Sequence, residues 1–239
     1  MRIGEEAIGE FERLQEDERL LESLDLAAIV TTAYAQWILE QPQFEELSKK
    51  IEQFKTRIAE ASGRLNTPHS RFLANEAAGW LSIVHQGDFA NAANLFENAI
   101  PAAESIRDSW LVGRVYGGAL YAAHWVGRCE QDADGARKVL EKALQFAQKA
   151  VDNLEIPSHG YLLDQVYGNY AECHTGLSIS GETERERKIE HLESAINIAR
   201  RGLAYRTHTP LPLTTHALSK AMQYLASIEV DVEEKARLL

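Results

Sequence analysis

Proline and glycine are scarce in this 239-residue chain: 6 Pro and 15 Gly are too few for the frequent tight turns of an all-β protein. Cysteine is nearly absent. Cys129 and Cys173 alone cannot build a disulfide framework, and no Asn-x-Ser/Thr acceptor occurs. No apolar run approaches the roughly 18 residues that a membrane helix needs, and no charged-then-apolar leader opens the chain. These absences point to a reducing, cytoplasmic setting without a membrane partner. Positive charge is in deficit as well: 25 basic against 36 acidic side chains give −11, the wrong sign for neutralising phosphates. Nucleic acid is therefore not expected as a direct partner. A hydrophobic content of 45% excludes a disordered chain.

Catalytic signatures are missing too. Neither His-Glu-x-x-His nor Glu-x-x-His occurs, which removes the common helical zinc and di-iron patterns. Cys173 and His174 are neighbours, and a helix directs adjacent side chains about 100° apart, so a shared metal is not expected. There is no Gly-x4-Gly-Lys-Ser/Thr phosphate cradle. The stretch from Gly176 to Gly181 misses the hydrolase elbow by one place, has no strand before it, and reads as a helix end. The charge run from Glu182 to Lys188 reads as a solvated helix start, with acids near the positive end. No catalytic residue, cofactor or metal is expected.

What the chain does have is helical spacing almost everywhere. Phe44, Leu47, Ile51, Phe54, Ile58 and Ala61 step by three and four, and Ile29, Ala33 and Trp37 step by four. Asn66-Thr67-Pro68 offers a cap followed by a proline suited to a first helical turn, and Pro157 and Pro210 also precede periodic segments. Short polar breaks fall at Gln86-Gly87-Asp88, Glu130-Gln131-Asp132 and Ser180-Gly181-Glu182. Helices joined by such breaks pack antiparallel to their neighbours. One domain over 1–239 is expected, with hairpins at about 24–62, 68–107, 109–155, 158–206 and 211–239 and a leading half-repeat at 1–22.

The hairpins repeat. Val115-Tyr116-Gly117-Gly118 matches Val166-Tyr167-Gly168-Asn169, and each is followed by a polar turn and a second helix. In the second helices a spacing recurs as Ala92-x3-Phe96-x2-Ala99, Ala136-x3-Leu140-x2-Ala143 and Lys188-x3-Leu192-x2-Ala195. Small residues let paired helices approach, and the large residue fills the groove between hairpins. Gly117-Gly118, costly inside a helix, fits the same close packing.

Here the chain resembles the tetratricopeptide repeat family. The turn and second helix of that family are nearly complete in Gly87-Asp88-Phe89-x2-Ala92-x3-Phe96-x2-Ala99. Trp80 stands where the family carries a small residue, Pro101 falls inside a second helix and should kink or end it near Ile100, and the hairpins recur at roughly 43 to 53 residues instead of about 34. The two ends read as cut, as in a segment of a longer regulatory protein.

The resemblance implies an all-α fold, an α-solenoid of antiparallel hairpins in a right-handed superhelix, whose first helices line a concave groove. The groove residues it implies are Gln36, Glu40, Leu81, His85, His124, Arg128, Thr175 and Tyr224. Such a mixed lining suits a peptide or a partner helix. The expected function is therefore a protein- or peptide-binding scaffold or sensor segment. Two alternatives stay open: an enzyme with an unrecognised helical site, and self-association as a homodimer through exposed terminal helices.

Overall fold

Periodic apolar residues and few helix breakers produce helix throughout the described part of the chain. The computed structural model describes residue 9 and residues 16–38, 43–154, 160–181, 184–205 and 212–238, and no strand occurs among them. In order these form α1 (Asp17–Ile38), α2 (Gln43–Leu65), α3 (Pro68–Gln86), α4 (Phe89–Ile106), α5 (Ser109–Cys129), α6 (Ala133–Leu154), α7 (Gly160–Gly176), α8 (Arg185–Ala204) and α9 (Pro212–Leu238). The all-α class expected from the spacing is the class observed. Two compact units make up the chain, residues 1–119 and 120–239, with the boundary inside α5.

Local chemistry sets the helix ends. Thr67 caps α3 through a capping box: its hydroxyl accepts from Ser70 N at 3.1 Å, and Ser70 Oγ accepts from Thr67 N at 2.9 Å. Gly87, at φ 64, closes α3 in the left-handed region, which a glycine enters without steric cost. The next residue, Asp88, caps α4 by accepting from Asn91 N at 3.0 Å. Two residues thus suffice to reverse the chain. α7 is prolonged by a π-helical turn, Leu177–Gly181, so that stretch is indeed a helix end.

In the first unit the helices of each hairpin run antiparallel. Contacts step outward from the turn, from Ser82–Asn91 to Gly79–Phe96. The repeat spacing has a direct physical counterpart here. The Phe96 ring is fully buried, and a Cβ added at Gly79 of α3 or Gly118 of α5 would come within 2.9 Å and 2.7 Å of it. Trp80 meets the same ring edge-on, with centroids 5.2 Å apart. The small residue that this packing needs is therefore Gly79, one place before the tryptophan.

The second unit repeats the device. Leu140 of α6 is fully buried between Gly127 of α5 and Gly176 of α7, whose added Cβ atoms would lie 2.7 Å and 3.1 Å away. α8 packs against both α7 and α9, and α6 packs against α7. α7 and α9 run parallel: Asp164 of α7 pairs with Thr214 of α9, and further along Glu172 pairs with Lys220. The first amides of α9 are met from another helix. Asp164, buried in α7, accepts from Thr214 N at 2.9 Å, Leu213 N at 3.3 Å and Thr214 Oγ1 at 2.7 Å.

The ends differ from expectation. α1 starts at Asp17 instead of residue 24, because Leu20, Leu21, Leu24 and Ala28 form one buried stripe with acids in the first turn. Residues 1–8 and 10–15 of the expected half-repeat lie outside the described residues. A single helix, α9, occupies 212–238 where a hairpin was expected, since no glycine or proline interrupts that stretch. Pro101 does not end α4, which continues to Ile106.

Candidate functional site

Buried ionisable groups are the places where a helical core departs from simple packing. In the first unit Arg114 of α5 reaches two carboxylates. Its Nε lies 2.8 Å and 3.1 Å from the Glu76 oxygens of α3, its Nη2 also bonds Glu76, and Nη2 lies 2.6 Å from Asp25 Oδ2 of α1. Glu76 is 0% exposed and Asp25 3%. The other oxygen of Asp25, Oδ1, is buried without a hydrogen-bond partner among the described residues. Burial, and next the Glu76 charge, push the Asp25 carboxyl well above the usual range. Burial also raises Glu76, against the pull of Arg114. Two acids around one guanidinium leave a surplus negative charge, which with burial raises the Asp25 carboxyl. This cluster ties α1, α3 and α5 together.

The second unit holds a different arrangement. His124 of α5 is 2% exposed, and neither ring nitrogen has a hydrogen-bond partner among the described residues. Burial lowers its pKa to about 4; Glu172 opposes that shift, while Arg128 and Lys220 add to it. These three charges surround the ring from α5, α7 and α9. Lys220 Nζ meets Glu172 Oε2 at 2.5 Å, and both are only slightly exposed. Asn169, whose side chain also interacts with the ring, gives one amide hydrogen to the Gln165 carbonyl at 2.7 Å. Arg128, exposed at the end of α5, lies over the Trp125 ring at 5.0 Å. A buried, neutral imidazole thus sits among fixed charges, beside the Trp125–Arg128 pair.

The expected groove residues separate. His124 and Arg128 come together as described. Tyr224 is 39% exposed on α9, one turn beyond Lys220, and Leu213 shares that face seven residues before Lys220. Thr175 is buried, with its hydroxyl donated to the Ala171 carbonyl at 3.1 Å, and Leu81 is fully buried in the first unit. Both belong to the core. Gln36 and His85 lie on α1 and α3 with side chains outside the described residues, and Glu40 is outside them altogether.

Sequence reasoning missed Asp25, Glu76, Glu172 and Lys220. A signal existed: Glu76 lies on the stripe Phe72, Leu73, Ala77, Trp80, and Asp25 on Leu21, Leu24, Ala28. An acid on an apolar stripe must find a partner inside. The partners, 38 and 89 residues away, could not be read from the chain.

Beside this face, Cys173 and His174 point apart as the helix requires. Cys173 is fully buried and its thiol is pushed up by burial, so it stays protonated. His174 is half-buried, stacks on Tyr170 at 5.7 Å, and places Nδ1 3.1 Å from His191 Nδ1 of α8. Among the described residues no helix is long and apolar enough to cross a membrane, and no group of three or more His, Cys, Asp or Glu could enclose a metal.

Neither a known protein family nor a curated protein matches the sequence. Among solved structures, one described as "Computational Design of Self-Assembling Cyclic Protein Homooligomers" aligns with 96% of this chain and 95% of its own, at 17% identity and a TM-score of 0.34. A TM-score at that level does not establish a shared fold.

Proposed function

We propose that the protein is a binding module, a tetratricopeptide-like helical scaffold that takes a protein or peptide segment on the face formed by residues 120–129, α7 and α9. The observation that carries this reading is the cluster around His124: Arg128 over the Trp125 ring, with the Glu172–Lys220 pair close by. A segment laid across Trp125, Arg128, Lys220 and Tyr224 would meet these charges and rings. Binding is favoured over catalysis because the reactive candidates are held inert: the Cys173 thiol stays protonated and Glu172 is committed to Lys220.

The test is a peptide-display selection on the full chain, followed by affinity measurements on the recovered peptides. Replacing Arg128 or Lys220 by Ala should weaken binding about tenfold or more, as expected for charged residues central to a contact. Unchanged affinity in both variants rejects this face. Self-association is the second reading, favoured by Leu213, Met222 and Tyr224 exposed on α9. Sedimentation at several concentrations decides it: a monomer throughout removes it.

A further inference from the structure

We infer that His174 and His191 form a two-histidine site for a divalent transition-metal ion at the surface between α7 and α8. Their Nδ1 atoms stand 3.1 Å apart on two helices that are packed against each other. An ion 2.0–2.1 Å from each nitrogen would subtend roughly 100° at that separation, between the octahedral and tetrahedral angles. Without metal the pair is joined by a hydrogen bond in which one Nδ1–H donates to the other Nδ1. Metal binding needs that donor ring to move its hydrogen to Nε2, and each ring to turn slightly so that both lone pairs converge on the ion. No helix has to move.

Two further features favour this. Imidazole nitrogens suit Zn2+, Cu2+ and Ni2+, whereas Mg2+ and Ca2+ prefer oxygen. Tyr170 stacks on the His174 ring with planes 25° apart and directs its own hydroxyl to Gln148 Oε1 at 3.3 Å, which holds the ring without competing for its nitrogen. The protein supplies two ligands and water completes the shell, so the ion keeps open positions. The inference is independent of the peptide-binding face.

Isothermal titration of the full chain with ZnCl2 tests this, together with the continuous-wave EPR spectrum after loading with CuCl2. One ion per chain is expected, with hyperfine structure from two imidazole nitrogens. His174→Gln and His191→Gln should each weaken zinc binding by more than the about 10–100-fold that outer-shell changes cost. Thermal melts of both variants show whether each is folded. Absence of zinc binding to the wild-type chain, equal affinity in the folded variants, or a copper spectrum without two nitrogen ligands overturns the site. If one variant does not fold, the other decides alone, and a wild-type copper spectrum without two nitrogen ligands overturns the site in either case.

Discussion

Phe96 shows how much one side chain can decide. Its ring fills the space left by Gly79 and Gly118, and neither glycine can gain a Cβ without displacing it. Phe96→Ala should cost about 3–5 kcal/mol, because the cavity is walled by helices that cannot collapse onto it. Gly118→Ala should also destabilise, despite its better helix propensity, and urea denaturation of both variants checks the pair. The small-large-small spacing made this packing readable from sequence. What could not be read was which glycine faces the ring, because Gly79 and Trp80 are adjacent and only the rotation of α3 separates them.

Arg114 is the second case at this scale. A raised folded pKa means that the contribution of Asp25 is fully present below the ordinary carboxyl range and is lost as pH rises through its raised value. Asp25→Asn, which mimics the protonated acid, should therefore keep or raise stability at pH 8. Glu76→Gln should cost about 3 kcal/mol, since it removes the carboxylate that holds the guanidinium in two-pronged geometry. Denaturant titrations at pH 5 and pH 8 separate the two. If Asp25→Asn destabilises at pH 8 as strongly as Glu76→Gln, the ionised Asp25 stabilises the fold and the raised carboxyl is contradicted.

At the scale of elements, helix starts were legible wherever the cap is local. Thr67-Pro68 and Gly87-Asp88 carry their own turn chemistry, and α3 and α4 begin where those residues stand. α9 is different, because its first amides are satisfied by Asp164 of another helix, about fifty residues earlier in the chain. A cap supplied from such a distance leaves no local mark. Asp164→Ala should cost about 1–3 kcal/mol and speed amide exchange in the first turns of α9 before any other helix. Uniform exchange across all helices would contradict that role. Pro101 shows packing overriding a local stop signal, whereas α9 runs on because nothing in 213–238 interrupts it.

For the molecule as a whole, periodicity revealed the helical class and its antiparallel neighbours, but not which polar groups the helices would enclose. His124 and Arg128 were accessible as candidates because the family resemblance placed them on the groove side of a first helix, whereas Glu172 and Lys220 came to them through the parallel packing of α7 and α9. His124 also gives the second unit a pH dependence. Its folded pKa of about 4 lies below the ordinary 6.5, so the unfolded chain binds the proton first, and stability present above pH 6.5 is lost as pH falls toward 4. The loss is on the order of 3 kcal/mol. His124→Phe should flatten that slope, measured as the wild-type-minus-variant difference in denaturation free energy between pH 7 and pH 4.5, and a slope unchanged by the substitution contradicts the buried neutral ring.

The most direct measurement of the binding face is backbone chemical-shift mapping of the full chain with a peptide recovered by display. The shifts should concentrate in residues 120–129, the α7 stretch from Asn169 to Glu172, and Leu213 to Tyr224, and fade when Arg128 is replaced by Ala. Shifts confined to α6 and α8, or undiminished in Arg128→Ala, would place the ligand elsewhere and contradict the proposed function.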